Sequence, residues 1–241
     1  MALYVGTSGF SYPAWKGKFY PEDLPEKRML HFYGTRFRSV EINNTFHRMP
    51  RAALLESWAA EVPPDFKFAL KAPQRITHLQ RLKGVDDAVS YLCDVAGTLK
   101  ERLGPLLFQL PPALKKDVPL LHDFLALLPP ETRAAFQFGH SSWFDDEVFG
   151  LLQRNGAALC IVDSADGVEV PRVRTAEWGY LRLRRPEYGE KELARWAELV
   201  HWQKWSDAFV FFKHEEEALG PLLAQRFLTL SGESKTEPEA I

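Results

Sequence analysis

Seven polar side chains recur at matching places in six separated apolar stretches. Glu41 and Asn43 alternate with Val40 and Ile42, and Lys71 closes Phe66–Lys71. Gln109 precedes Leu110-Pro111-Pro112, and Gln137 lies within Ala134–Phe138. Asp163 closes Ala158–Asp163, and Arg182 lies within Gly179–Leu183. Carboxylates are the raw material of general acid–base chemistry, while lysine and arginine hold anions by charge-assisted hydrogen bonds. A desolvated Lys71 would also be an imine-forming nucleophile, although the acids expected beside it favour a simple charged partner. Thr7, Ser8, Asn44, His47, His78, His140, Trp143, Ser164 and Lys213 lie just past such stretches and would join the same site. Three histidines beside two acids raise a divalent metal as a candidate cofactor, though no His-x-x-x-His or cysteine pair strengthens it. Thr7-Ser8-Gly9 is a tight turn whose N–H groups could hold an anion, and no Gly-x-Ser-x-Gly elbow is present.

These residues converge only if the elements around them bring them together. Strict alternation over Ser39–Asn43 marks a strand with one apolar face. Further strands are expected at Leu3–Thr7, Phe66–Lys71, Pro105–Leu110, Ala134–Phe138, Ala158–Asp163, Gly179–Leu183 and Ala208–Phe212. Helical spacing of apolar residues predicts helices over Pro25–Arg36, Arg51–Ala60, Val85–Leu103, Val118–Leu128, Asp145–Asn155, Glu190–Trp205 and Glu216–Phe227. The sixth repeat is weakest, because the loop after Asp163 shows little periodicity. Eight strands alternating with helices imply parallel pairing through crossovers. The expected fold is therefore an α/β, single-domain (β/α)8 barrel of the TIM type over 1–230, with a flexible tail over 231–241. The open-sheet phosphate fingerprints are absent. Chemistry in such a barrel sits at the C-terminal ends of the strands. Strand parity turns all seven polar residues inward there. A self-satisfied layer, with Glu41 and Asp163 balancing Lys71 and Arg182, is the plainer alternative, but buried ion pairs are a poor source of stability. A glycosidase pair is disfavoured, since strands two and six lie far apart. The aromatic connection Phe10–Pro25 reads equally as a lid or as a plug on one end of the core.

Of 241 residues, 46% are hydrophobic and 26% charged, ordinary for a globular protein with a sizeable core. A net charge of −2 and a pI near 6.4 give no basic footprint, which disfavours nucleic acid as partner and leaves it only a local patch. Cys93 and Cys160 sit in apolar surroundings and read as reduced core thiols. No apolar run has the length to span a bilayer, and Met1-Ala2-Leu3-Tyr4-Val5 enters a strand at once. A cytoplasmic protein is expected.

The motifs together resemble the domain-of-unknown-function 72, or YecE-like, family. They are Gly6-Thr7-Ser8-Gly9-Phe10-Ser11-Tyr12 with Trp15 and Phe19-Tyr20-Pro21, and Val40–Phe46 with Pro50. Phe68–Lys71 with Ile76-Thr77-His78, and Leu107–Pro112, come next. His140 with Ser142-Trp143-Phe144, Asp163-Ser164 and Tyr180–Leu183 complete the set. The resemblance implies a TIM-type barrel with a likeness to endonuclease-type and sugar-isomerase-type barrels, and attaches no firm reaction. It also exposes departures. The family usually has an acid where Gln137 stands, an arginine at Gly139, His-Gly at Arg184-Arg185 and Asn-Asn-Asp at Lys213-His214-Glu215. These changes remove an acid and add cations, tilting this member towards an anionic ligand.

The expected function is an enzyme acting on a small anionic, phosphorylated substrate, with phosphoester hydrolysis or related acid/base chemistry. Lys71, Arg182 and Arg184 would bind the anion, Glu41 or Asp163 would be general base, and His140 would be acid or metal ligand. Thr7, Ser8, Asn43, Asn44, Gln109, Gln137 and Trp143 would complete the substrate contacts. The alternative is a non-catalytic ligand- or partner-binding module on the same barrel.

Overall fold

The computed structural model describes residues 1–232. Its strands are β1 (Ala2–Thr7), β2 (Ser39–Ile42), β3 (Lys67–Lys71), β4 (Leu103–Gln109), β5 (Ala134–Gln137), β6 (Ala158–Asp163), β7 (Trp178–Leu183) and β8 (Asp207–Phe212). They run parallel in the order β1-β8-β7-β6-β5-β4-β3-β2. The helices are α1 (Met29–Arg36), α2 (Asn44–His47), α3 (Ala52–Glu61), α4 (Asp86–Gly97), α5 (Val118–Leu125), α6 (Asp146–Arg154), α7 (Glu190–Trp202) and α8 (Leu219–Leu230). This is the expected (β/α)8 arrangement, nearly closed.

Closure comes where β1 meets β2, and there a side chain replaces most of the ladder. A single bridge joins Ser8 to Glu41, with Gly9 N–H donating to the Glu41 carbonyl at 2.7 Å. Further down the seam, the Tyr33 hydroxyl of α1 accepts from Thr7 N at 2.8 Å and donates to the Ser39 carbonyl at 3.1 Å. One phenol thus serves a donor and an acceptor that would otherwise be buried unpaired. The strands approach so closely that a Cβ on Gly6 would fall 1.9 Å from the Ser39 carbonyl oxygen, so only glycine fits.

Inside the barrel, Tyr4, Trp178 and Phe209 pack with Ala69, Leu107, Ala135, Cys160, Tyr180 and Phe211. The outward residues of the same strands join the helices in the larger core. Asp117 and Asp145 cap α5 and α6, accepting from Leu120 N at 3.1 Å and Glu147 N at 3.0 Å. The helix expected over Val85–Leu103 ends at Gly97: Lys100 turns with φ +51°, and Leu103 begins β4. Leu99 and Leu103 keep helical spacing but belong to the turn and the strand. Residues 164–177 cross from β6 to β7 without a helix, anchored by Thr175, whose hydroxyl accepts from Leu159 N and donates to the Ala157 carbonyl. That is the weak sixth repeat.

Phe10–Pro25 is packed as a plug. Trp15 is wholly buried, stacks on Tyr20, meets Phe19 edge-on, and donates from Nε1 to the Glu215 carbonyl at 2.8 Å. Of the tail expected from 231, Ser231 closes α8 with its N–H and hydroxyl on the Phe227 carbonyl, and 233–241 lie outside the described residues. Among the described residues, no helix is long and apolar enough to cross a membrane.

Candidate functional site

At the C-terminal end of the barrel the interior turns polar. Glu41, third residue of β2, is 0% exposed, and Arg182, two places past Tyr180 on β7, is 2% exposed. Arg182 Nη2 donates to Glu41 Oε1 at 2.9 Å. Ser8 Oγ donates to the same oxygen at 2.6 Å, and Asn43 Nδ2 reaches it at 3.4 Å. Tyr180 donates its hydroxyl to Oε2 at 2.7 Å. On the far side, Arg182 Nη1 donates to Gln137 Oε1 at 2.6 Å and to Gln109 Oε1 at 3.3 Å. Burial pushes the Glu41 carboxyl up, but Arg182 and the donors from Ser8 and Tyr180 outweigh it and hold the group below its ordinary range. Burial also works against the Arg182 charge, and Glu41 more than restores it. The Tyr180 phenol is raised well above its ordinary value, by burial first and by the Glu41 charge second, so it stays a donor. Glu41 is therefore ionised with both oxygens committed, which makes it an anchor for Arg182 rather than a free base.

Above this pair stands a group of cations. Lys71 ends β3, and Arg184 and Lys213 continue the inward parity of Arg182 and Phe211 just past β7 and β8. Their backbones extend the ladders, Arg184 N–H to the Asp163 carbonyl at 2.7 Å and Lys213 N–H to the Leu183 carbonyl at 3.2 Å. Burial lowers the Lys71 pKa most, then Arg182, with Lys213 and Arg184 adding to it against the pull of Glu41, and it falls to about 8. Burial followed by Arg182 lowers Arg184, and burial followed by Arg184 lowers Lys213. Lys71 Nζ lies 3.9 Å from the centre of the Phe46 ring, a contact worth about 0.5–1 kcal/mol that favours the ammonium without reversing the trend. Among the described residues, the side chains of Lys71, Arg184 and Lys213 have no hydrogen bond and no ion pair, and the buried Arg182 Nε has no acceptor.

Of the residues expected here, Glu41, Ser8, Asn43, Gln109, Gln137 and Arg182 meet in one bonded network, with Lys71 and Arg184 over it. Eight others lie outside that network. Asp163 faces the helix layer, because Ala158, Cys160 and Val162 take the inward places of β6. Its Oδ2 accepts from Trp196 Nε1 at 3.1 Å, and Oδ1 pairs with Arg185 Nε at 2.7 Å. His140 caps the turn after β5, with Nδ1 accepting from Ser142 N at 3.1 Å. Trp143 is wholly buried, stacked 4.8 Å on Phe138, and donates to the Leu114 carbonyl at 2.8 Å. Thr7 faces outward on β1 and donates to the Gly9 carbonyl at 2.6 Å. Asn44 is exposed at the start of α2. Ser164 bonds the Asp166 carbonyl within its own turn. His47 and His78 each meet the Phe46 ring edge-on, at 5.2 and 4.9 Å. No group of three His, Cys, Asp or Glu side chains is placed to hold a metal among the described residues.

Sequence reasoning missed Tyr180 and Phe46. Tyr180 shares the parity of Arg182, and that signal was sufficient to find it. Phe46 lies on α2, where strand parity says nothing. Gly139, where the family usually has arginine, has no room for a side chain: a Cβ would fall 2.7 Å from Pro112 N and 2.8 Å from the Leu110 carbonyl oxygen.

A cleft of about 420 Å³ opens at the opposite end of the barrel, lined in part by Tyr4, Lys67, Cys93, Lys100, Arg133 and Asp207. Its volume is within the range of small-molecule sites. The strand N-termini are the structural face of such barrels, however, and two of its cations already have partners. Arg133 Nη2 meets Asp207 Oδ2 at 2.6 Å, and Lys67 donates to the Glu101 carbonyl.

Residues 4–240 match the family model described as protein of unknown function DUF72. The protein YecE of Escherichia coli K12 is 29% identical over 169 residues, which are 67% of this chain and 59% of that protein. YunF of Bacillus subtilis 168 is 26% identical over 151 residues, 59% of this chain and 52% of that protein. The match thus spans little more than half the length of these relatives. Among solved structures, a DUF72 family protein of Thermotoga maritima MSB8 superposes with a TM-score of 0.85 at 28% identity, covering 97% of this chain and all of that one. A DUF72 family protein of Enterococcus faecalis V583 shares the fold at a TM-score of 0.83 and 16% identity, covering 99% of both chains.

Proposed function

The chain belongs to the DUF72 family of proteins of unknown function, and on that premise we propose that its barrel mouth is the site of an enzyme acting on a small anionic, phosphorylated substrate. One observation carries this reading: Lys71, Arg184 and Lys213 gather without carboxylate partners above the Glu41–Arg182 pair. Like charges brought together and partly desolvated are unfavourable unless an anion shares the space. The orphaned Arg182 Nε adds a donor without an acceptor to the same place.

Hydrolysis through Glu41, Asp163 and His140 loses support, because the last two stand outside the network and the first is saturated. Lys71 and Lys213 are the lysines there without a bonded partner, and Lys71 is the one whose pKa falls to about 8. A pKa near 8 lies where a general acid or base works best at physiological pH. Related acid/base chemistry through Lys71 on a phosphorylated substrate therefore fits the geometry better than hydrolysis by a carboxylate. A binding-only module is the second reading, and the saturated Glu41 is the observation in its favour.

Thermal melting against inorganic phosphate, sugar phosphates, nucleotides and neutral sugars tests the site. At a hundredfold excess over Kd a ligand adds about 2.7 kcal/mol, or about 5–10 °C for a domain of this size. The expected result is that phosphorylated compounds raise Tm and neutral sugars do not. An unchanged Tm across the whole panel would remove the reading. Phosphorus NMR on the most stabilising compound then separates the two forms: conversion by the parent but not by Lys71→Met marks an enzyme, and no conversion marks a binding module.

A further inference from the structure

We propose that Lys71 is an imine-forming nucleophile, and that the barrel mouth takes a small carbonyl compound whose anionic group lies on Arg184 and Lys213 while Lys71 Nζ attacks its carbonyl carbon. The inference rests on the anion site described above and names the substrate class that site would take.

The acids expected beside Lys71 would have kept it an ammonium. The structure supplies one, Glu41, and spends both of its oxygens on Ser8, Arg182 and Tyr180. Lys71 Nζ instead faces Arg182, Arg184 and Lys213, half-buried at the end of a strand, with the Phe46 ring 3.9 Å away. A lysine in a desolvated, cationic surrounding keeps a free-base fraction at neutral pH, and the free base is the nucleophile. Neither neighbouring guanidinium can take that role, since arginine does not deprotonate. His78 meets the same Phe46 ring edge-on at 4.9 Å, with Nδ1 2.9 Å from Thr77 Oγ1. Burial and the Lys71 charge lower its pKa, which keeps a neutral imidazole in the same cluster to carry protons.

The chemistry balances without an oxidant or reductant. The amine lone pair forms the C–N bond while the carbonyl oxygen takes the proton released from nitrogen, giving a carbinolamine. Its hydroxyl takes back the proton that the Lys71 ammonium gave up on becoming the free base, carried by His78, and leaves as water while the nitrogen lone pair closes the C=N bond of an iminium. One positive charge enters as ammonium and one remains as iminium, so the Phe46 face that favours the first also favours the second. The iminium draws electrons from the bond to the adjacent carbon, as in a Schiff-base lyase.

Reductive trapping tests this on the full chain. The protein is incubated with cyanoborohydride and dihydroxyacetone phosphate, pyruvate or neutral dihydroxyacetone, and adducts are located by intact mass and peptide mapping. The expected result is one adduct per chain at Lys71. An anionic carbonyl should form it at least tenfold faster than dihydroxyacetone, and inorganic phosphate should suppress it. The faster of the two anionic compounds shows whether phosphate or carboxylate is the natural group. Labelling should rise through pH 8, where an exposed lysine would rise near pH 10.4. Burial sets this midpoint first, then the charges of Arg182, Glu41, Lys213 and Arg184, and His78 is the other titratable group beside Lys71. Lys71→Arg should abolish the adduct and keep phosphate stabilisation, because the charge remains. Adducts spread evenly over exposed lysines, or placed elsewhere in a chain that phosphate still stabilises, would overturn the nucleophile and leave the anion site standing. Absence of both trapping and phosphate stabilisation would overturn both.

Discussion

The two ends of this barrel carry similar numbers of cations and treat them in opposite ways. At the strand N-termini, Arg133 is paired with Asp207, Arg38 with Asp65, and Lys67 with the Glu101 carbonyl. At the strand C-termini, Arg182 is paired with Glu41 and Arg185 with Asp163, while Lys71, Arg184 and Lys213 lie over the buried pair with no ion pair of their own among the described residues. Neutralised charge at one end costs little and asks for nothing more. Concentrated like charge at the other end lowers basicity and weakens the fold, and that is the pattern expected where a ligand supplies the missing sign.

Breaking the buried pair has the largest expected effect. Glu41→Gln leaves Arg182 charged and uncompensated, so stability measured in urea should fall by about 3–5 kcal/mol. The double change Glu41→Leu with Arg182→Met should recover much of that, because neither charge is then stranded. The Glu41 carboxyl is held below its ordinary 4.5 in the fold, so its contribution is present above pH 4.5 and lost as pH falls through the lower folded value. Acid titration of stability should therefore be shallower below pH 4.5 in Glu41→Gln than in the parent.

Asp163→Ala should cost about 1–2 kcal/mol through its lost bonds to Trp196 and Arg185 and leave phosphate binding unchanged. A loss of binding would return Asp163 to the site. Lys71→Met should raise Tm by about 2–4 °C at pH 7, the shift from about 1 kcal/mol in a domain of this size. Between pH 8 and 10.5 the unfolded chain holds a proton that folded Lys71 has released, so parent stability rises with pH and the difference should close by the top of that window. Arg133→Ala, at the paired end, should change stability by less than about 1 kcal/mol and phosphate binding not at all.

What the sequence made legible follows from how each strand is covered. Val40-Glu41-Ile42-Asn43 alternates, and its parity put Glu41 and Asn43 where they are. Tyr180-Leu181-Arg182 alternates as well, and Arg182 followed. Ala158–Val162 is apolar at every position because both faces are covered, which leaves no alternation from which to read the direction of Asp163. The interior takes Ala158, Cys160 and Val162, and Asp163 falls outside. His140 and Trp143 follow β5 in a turn, where strand parity no longer applies, and their roles as cap and core were open only to three-dimensional packing. Lys213 was in view as a loop residue, but its partnership with Lys71 and Arg184 depends on closure of β8 against β1 and β7. Closure of β1 against β2 rests on Gly6 and Tyr33, side-chain details that periodicity does not encode.

An anomalous-scattering map from crystals soaked in tungstate, a heavy tetrahedral oxyanion, tests the contrast between the ends most directly. A peak is expected at the barrel mouth within hydrogen-bonding distance of Lys71, Arg184 or Lys213. A peak among Lys67, Lys100 and Arg133 at the opposite end, with none at the mouth, would contradict it.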